Sequence, residues 1–171
     1  MTINPLLTSS FSAFKPGMGA AINTAVKPAR WMAGIPTVPG ITPAGIFGKP
    51  QYRDEFPYRI AYTARLDEFE DRIRADLQRL SDERPPTDEH PNGVPLVLLC
   101  WCNVGKGEWC HRRMFAEWML ARDVVVDEAR PPLLASQRAP RSSGKPAYYD
   151  AKHDERYFTR PEPGGALEPL F

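Results

Sequence analysis

The residues best suited to chemistry lie in one short stretch of the chain, residues 97–113. All three cysteines of the sequence fall here: Cys100 and Cys102 end an apolar run, and Cys110 precedes His111. Because an exposed thiol is reactive, cysteines gathered in this way are typical of catalysis, metal ligation or a shared packed core. The sequence therefore predicts a site where this apolar run is followed by a helix.

One interpretation makes Cys110 a nucleophile. The free N–H groups and the dipole at a helix N-terminus stabilise an anion, so a thiolate at Cys110 is favoured. His111 would accept its proton, and Cys100 is the third candidate catalytic residue. This interpretation predicts an accessible, activated thiol at Cys110. The alternative is that Cys110, four residues before Met114, is only the first buried residue of an amphipathic helix.

Basic residues accompany the cysteines. Lys106 lies within the loop 100–113, and Arg112 and Arg113 follow at the start of the helix. Together with a helix N-terminus, these cations would bind a phosphate or carboxylate. The leading functional hypothesis is a cysteine-centred enzyme or sensor that acts on a small anionic ligand, related to a nucleotide or a nucleic acid.

Metal binding is the second interpretation, and it predicts a non-enzymatic binding or structural module with zinc-bound or merely packed cysteines. Cys100, Cys102, Cys110 and His111 offer four zinc ligands. Their spacing differs from the paired short loops of zinc fingers, and two adjacent ligands would have to turn toward one ion. The sequence therefore predicts no cofactor, with zinc as the alternative. A reversible disulfide involving Cys110 would be unusual in a reducing compartment.

The elements around the cysteines predict where they lie. The run 94–100 is short and rich in Val and Leu, which indicates a buried strand. Apolar residues four apart predict a helix over about 109–122, and 124–126 indicates another strand. Such a β-α-β unit has parallel strands, so Cys100 and Cys102 would lie at the carboxyl edge of a sheet, where α/β proteins bind ligands.

The rest of the chain supplies the other layers of an α/β fold. Strands are predicted within 2–14 and 20–26, and frequent Pro and Gly predict a long loop over 34–50. A helix is predicted from about Leu66 to Leu80. Its apolar stripe should face the sheet and consists of Leu66, Phe69, Ile73, Leu77 and Leu80. Apolar residues expected to anchor the loop, with contact to a ligand as the alternative, are Trp31, Ile35, Val38, Ile41, Ile46 and Phe47.

Chain length and composition limit the number of domains and indicate how much of the chain is irregular. A chain of 171 residues with 42% hydrophobic residues suits one domain, and 19 prolines predict long irregular connections. We expect a small, mostly parallel sheet with flanking helices, a Pro-rich insertion and an irregular C-terminal extension. The net charge of +1 excludes global attraction to nucleic acid but permits a local basic patch. No leader or membrane-spanning run is recognised, which predicts a cytoplasmic protein without a membrane partner.

The predicted domain covers residues 1–130, and residues 131–171 form a basic and aromatic extension. The chain finishes with Leu170 and Phe171 beyond a Gly-Gly joint. This tail resembles the short peptides by which bacterial proteins dock into the replication sliding clamp, although their usual glutamine is missing. The sliding clamp is therefore a candidate partner, and docking onto the protein's own domain is the favoured alternative.

A family resemblance adds to these inferences. The segments 98–100, 110–113 and 116–118 resemble the signature of the family called domain of unknown function 488, in which a strand ending in Leu-Leu-Cys precedes a Cys-His-Arg helix. Looser matches upstream are the segments 8–11, 14–19 and 27–31. The resemblance covers roughly residues 6–127 and implies an α/β fold. The family positions carried over are Cys100, Cys110, His111 and Arg112, whereas Cys102 replaces a residue that is often acidic or small in the family.

Overall fold

The computed structural model describes residues 3–102 and 109–129. A sheet of four parallel strands is formed by β1 (Leu6–Ser10), β2 (Ala20–Asn23), β3 (Leu96–Cys100) and β4 (Val126–Glu128). The helices are α1 (Glu55–Glu68), α2 (Glu70–Asp82) and α3 (His111–Leu120). The spatial order of the strands is β2-β3-β1-β4. This architecture confirms the predicted α/β fold with a parallel sheet. The extension 131–171, including Leu170 and Phe171, lies outside the described residues.

The central strand β3 is buried along its whole length because both faces of the sheet are covered. Leu96 and Leu98 point into the larger core, which also contains the buried apolar residues of the three helices. Val97 and Leu99 point to the opposite face and pack in a smaller core built from loop residues. Helices therefore cover one face of the sheet, and irregular segments cover the other.

The predicted helix over 66–80 corresponds to two consecutive helices. The chain bends at Phe69 (φ −103°, ψ 11°), between α1 and α2, and α1 begins upstream of the predicted start. Pro57 lies in the first turn of α1, where its missing N–H removes no helical hydrogen bond. The predicted stripe is otherwise confirmed, since Leu66, Ile73, Leu77 and Leu80 are all fully buried in the larger core.

The loop 34–50 has no regular element longer than a turn, as predicted. Val38, Ile41 and Ile46 are buried anchors in the larger core, whereas Ile35 is only partly buried. The prediction is wrong for Trp31 and Phe47, whose side chains are 67% and 69% exposed. Both rings lie at the surface, which leaves them free to contact a ligand.

Helix α1 holds this loop against the domain through polar contacts. The Tyr62 hydroxyl donates to the carbonyl of Ile41 at 2.6 Å, and Arg65 Nε donates to the carbonyl of Thr42 at 2.8 Å. Arg59 forms an ion pair with Glu117 that joins α1 to α3. The loop and the two helices therefore form one packed layer on the sheet.

The β3-α3-β4 unit has parallel strands as predicted, but β1 lies between β3 and β4 in the sheet. The register pairs Ser10 with Cys100 and Thr8 with Glu128. The carboxyl ends of the strands therefore meet at one edge, beside the start of α3. Within the described residues, no helix combines the length and the apolar character needed to span a membrane.

Candidate metal centre

The three cysteines and His111 converge at this carboxyl edge. Cys100 is the last residue of β3, Cys102 follows two residues later, and Cys110 immediately precedes α3. Their sulfur atoms and a ring nitrogen of His111 all lie within 4.8 Å of one another, close enough to hold one metal ion. The Sγ atoms of Cys100 and Cys110 are 3.1 Å apart, and Cys110 Sγ is 3.8 Å from His111 Nδ1.

A change of backbone conformation lets the two adjacent residues share one site. Cys110 is extended (φ −152°, ψ 141°), whereas His111 is the first residue of the helix. Cys110 also caps the helix, because its carbonyl accepts hydrogen bonds from the N–H groups of Arg113 and Met114 at 3.0 and 3.2 Å. The change from extended backbone at Cys110 to helical backbone at His111 therefore directs the two neighbouring side chains toward the same point.

The hydrogen bonding of His111 determines its tautomer. Its Nε2 lies 3.0 Å from the backbone carbonyl of Thr24, which can only accept, so Nε2 carries the hydrogen. Nδ1 is then left with a lone pair on the side of Cys110. Burial lowers the pKa of His111 to about 4, which keeps the imidazole neutral near pH 7. A histidine held by a backbone carbonyl in this way is typical of metal sites.

The thiols differ in their exposure and in their charge. Cys100 and Cys110 are buried, and Cys102 is partly exposed. The prediction that the Cys110 thiol is accessible is wrong, since its side chain is only 2% exposed. Hydrogen bonds from the Cys100 and Cys110 thiols lower the pKa of Cys102 well below that of a free thiol. The hydrogen bond to Cys102 raises the pKa of Cys100, whereas the one to Cys110 lowers it, and burial raises it further. Hydrogen bonds to Cys100 and Cys102 raise the pKa of Cys110, so Cys102 is the thiol of the cluster that ionises most readily.

Arg112 is buried next to the cluster, with only 2% of its surface exposed. Its Nη2 forms an ion pair with Glu128 Oε1 at 2.8 Å, and Thr8 Oγ1 donates to the other carboxylate oxygen at 2.7 Å. Its positive charge favours the thiolate form of Cys100 and Cys102 by lowering their pKa values. Nε and Nη1 of Arg112 are buried and have no hydrogen-bond partner in the described part of the chain. Two donors are thus available to a negatively charged group.

The other two predicted anion-binding residues are placed differently. Arg113 is half-buried, and its Nε has no hydrogen-bond partner among the described residues. Lys106 lies outside them. The structure therefore brings Arg112 to the cysteines and leaves the role of Lys106 as a prediction.

A cavity of about 600 Å³ opens next to the cluster. Cys102, Cys110 and His111 contribute to its lining. Its aromatic walls are formed by Phe47, Tyr58, Trp101 and Trp109, with Ala25, Val26, Lys27 and Pro43 completing the lining. Burial raises the pKa of Tyr58, so its hydroxyl remains protonated. The cavity gives the cluster an accessible, mainly apolar side.

Sequence reasoning did not identify the aromatic residues of this cavity as part of the site. Trp101 and Trp109 could have been predicted as site residues, because both lie in the stretch 97–113 with the cysteines. Tyr58 and Thr24 carry no local signal, since they come from distant elements and meet the cysteines only after folding. The same holds for Glu128, the ion-pair partner of Arg112.

Comparisons with known proteins find no matching family model, no similar curated protein and no similar solved structure. Membership of the family called domain of unknown function 488 therefore stays a prediction.

Proposed function

We propose that this chain binds one zinc ion through Cys100, Cys102, Cys110 and His111. The observation that carries the proposal is the convergence of three sulfur atoms and one imidazole nitrogen within 4.8 Å. Three thiolates with one imidazole are a common ligand set of tetrahedral zinc sites, and soft thiolates favour zinc over magnesium or calcium. The hydrogen bond from His111 Nε2 to Thr24 supports the same role, because it holds the imidazole in the tautomer that ligation by Nδ1 requires.

The ligand atoms lie near the separations that this coordination requires, although the two buried sulfur atoms are too close together. A tetrahedral ion with Zn–S bonds of about 2.3 Å separates two sulfur ligands by about 3.8 Å, and a sulfur from a nitrogen by about 3.6 Å. The observed 3.8 Å between Cys110 Sγ and His111 Nδ1 lies close to the second value. Cys100 Sγ and Cys110 Sγ are 3.1 Å apart, so these two thiols would have to separate on binding the ion. Small side-chain shifts would be enough to complete the tetrahedron.

The charge of the environment also suits a zinc–thiolate centre. One Zn²⁺ with three thiolates and a neutral imidazole carries a net charge of −1. Arg112 is buried beside the thiols and favours their thiolate forms, although it also pairs with Glu128. Its Nε and Nη1 have no partner among the described residues and can donate hydrogen bonds to the centre. Four protein ligands leave no open position on the ion, so the centre has the ligand count of a structural site. It would fasten the end of β3 to the start of α3.

Metal content of the purified chain tests the proposal. We expect one zinc per chain, and loss of the metal in Cys100→Ser, Cys110→Ser and His111→Ala. His90→Ala is the matched control, because His90 lies in the loop after α2 and is not part of the cluster. Wild-type protein that contains no zinc, and takes up none when refolded with it, would refute the proposal.

A second candidate function rests on Arg112 and Cys102. Nε and Nη1 of Arg112 are buried, have no partner among the described residues and are suited to hold an anion. Cys102 is the partly exposed thiol, and its pKa is lowered. Under this proposal the metal-free chain is a thiol-dependent enzyme or sensor for an anionic ligand. Phosphate added at rising concentration should then slow alkylation of Cys102 by iodoacetamide, and Arg112→Met should abolish the protection.

The sequence also supports proposals about the family of the chain and its cellular compartment. The segments 98–100 and 110–113 support membership of the family called domain of unknown function 488. Three unpaired thiols support a reducing compartment such as the cytoplasm, since an oxidising one would promote disulfides.

A further inference from the structure

Exposed aromatic residues gather around the cavity. Phe47, Trp101 and Trp109 line it and remain exposed to solvent, and 53% of Trp101 is accessible. Trp31 extends this surface, because its ring meets that of Trp101 edge-on at a centroid distance of 5.6 Å. Large exposed rings are otherwise costly on a soluble surface, so their concentration at one place indicates a binding site. We name these four residues the aromatic rim.

The charges of the segment that carries Trp31 and Phe47 are unbalanced. Residues 1–53 contain no acidic residue and five basic ones, namely Lys15, Lys27, Arg30, Lys49 and Arg53. None of the five forms an ion pair within the part of the chain that the structure describes. Lys27 lines the cavity, Arg30 is next to Trp31 in sequence, and Lys49 follows Phe47 by two residues. A net charge of +1 for the whole chain thus conceals a basic segment, residues 1–53, that contributes Trp31, Phe47 and Lys27 to this surface.

We propose that the aromatic rim and its cations bind single-stranded nucleic acid. Unpaired bases stack on tryptophan and phenylalanine rings, while phosphates are attracted to nearby lysine and arginine side chains. The cavity volume of about 600 Å³ is in the range of sites for ligands of nucleotide size. An apolar peptide would use the rings but not the unpaired cations. A duplex would use the cations but keep its bases stacked away from the rings.

This inference goes beyond the proposed zinc site and does not depend on it. The rim and cations lie on residues 27–49, Trp101 and Trp109, and none of them is a proposed metal ligand. Trp101 Nε1 donates to the backbone carbonyl of Lys27 at 2.9 Å, which fixes the ring next to the backbone of a basic residue. Loss of nucleic-acid binding and loss of zinc can therefore be measured separately on the same preparation.

Fluorescence anisotropy of a labelled 15-residue oligothymidylate with the full-length chain tests the proposal. We expect binding at low salt that weakens as salt rises, with a log–log slope of about −2 if three cations contact phosphates. Unlabelled oligothymidylate should compete far better than a duplex of the same length or thymidine monophosphate. Zinc content is recorded for every sample.

The variants separate the rim from the rest of the surface. Phe47→Ala and Trp101→Ala should each weaken binding by about 5- to 150-fold, the range expected for one stacked base. Trp101→Phe should retain most of the affinity, since a ring remains. Phe56→Ala is the matched control for an exposed ring, because Phe56 is 72% exposed on α1 and does not line the cavity. It should bind like the wild type.

A second pair of variants, one test and one control, examines the role of the cations. Lys27→Gln should lower both the affinity and the steepness of the salt dependence, and Arg72→Gln on the exposed surface of α2 is its control. Absence of binding at low salt would overturn the proposal. So would equal competition by duplex, equal competition by thymidine monophosphate, or unchanged affinity of Phe47→Ala in protein that is folded and contains its normal amount of zinc.

Discussion

Gly40 of the loop 34–50 packs against Ile73 of α2. Substitutions at these two residues are the most informative test of how the loop is held on the domain. Gly40 is not in a left-handed conformation, so its lack of a side chain is explained by space alone. A Cβ placed on Gly40 would lie 2.4 Å from Cγ1 of Ile73 and 3.1 Å from its Cδ1. The loop can approach α2 this closely only because residue 40 is glycine.

Each single substitution should destabilise the domain for a different reason. Ile73 is fully buried, so Ile73→Ala loses apolar burial and leaves a cavity, which costs about 2–5 kcal/mol. Gly40→Ala overpacks the contact and costs about 1–3 kcal/mol, offset by up to about 1 kcal/mol from the stiffer unfolded chain. For a chain of this size, 1 kcal/mol corresponds to about 2–4 °C in Tm.

The double variant measures the coupling free energy between residues 40 and 73. Once Ile73 is alanine, the two atoms nearest to the new methyl group are gone, and the methyl group fills part of the cavity. Cβ of Phe69, at 3.2 Å, is the close neighbour that remains. Gly40→Ala/Ile73→Ala should therefore be less destabilised than the sum of the singles by about 1–3 kcal/mol. Urea unfolding at constant zinc, followed by circular dichroism, measures the four stabilities. Additivity within about 0.5 kcal/mol would mean that Gly40 and Ile73 do not touch.

Three further predictions follow from local contacts. Gly93→Ala should lower stability by at least about 1–2 kcal/mol in thermal unfolding, because Gly93 has a φ of 81° and a Cβ would lie 2.3 Å from Asn4 Oδ1; equal stability would refute this packing. Arg122→Ala should cost about 1 kcal/mol, since Arg122 pairs with Asp67 and Glu70 and lies 3.8 Å above the Trp118 ring, whereas Arg122→Lys should recover part of it. In metal-free protein, mass spectrometry should find Cys102 alkylated well before the two buried cysteines; simultaneous labelling of all three would contradict their difference in exposure.

The parts of the fold with a clear apolar period were predictable from the sequence. The stripe of α2 and the buried strand β3 follow directly from residue spacing, and both are confirmed. The start of α1 was not predictable, because Phe56 and Ile60 are exposed on one face while Tyr58 and Tyr62 are buried on the other. Apolar residues on both faces conceal the helical period.

The position of the site in the fold was predictable from the sequence, but the arrangement of its side chains was not. A parallel β-α-β unit brings Cys100 and Cys110 to one edge, and this much follows from the sequence. Their partners come from elements far away in the chain, such as Thr24 after β2 and Glu128 in β4. Burial then reverses the expected roles, since Cys102 and not Cys110 is the exposed thiol. Such contacts depend on tertiary packing, which no local pattern records.

Cobalt substitution tests the central claim most directly. Co²⁺ added to the metal-free chain should be taken up at one ion per chain, with the strong visible absorption of a tetrahedral site and an ultraviolet thiolate-to-metal charge-transfer band. Cys102→Ser should weaken the charge-transfer band because one of three thiolates is lost, and zinc should displace the cobalt. A weak spectrum of an octahedral ion, or an identical spectrum in wild type and Cys102→Ser, would contradict the proposed centre of Cys100, Cys102, Cys110 and His111.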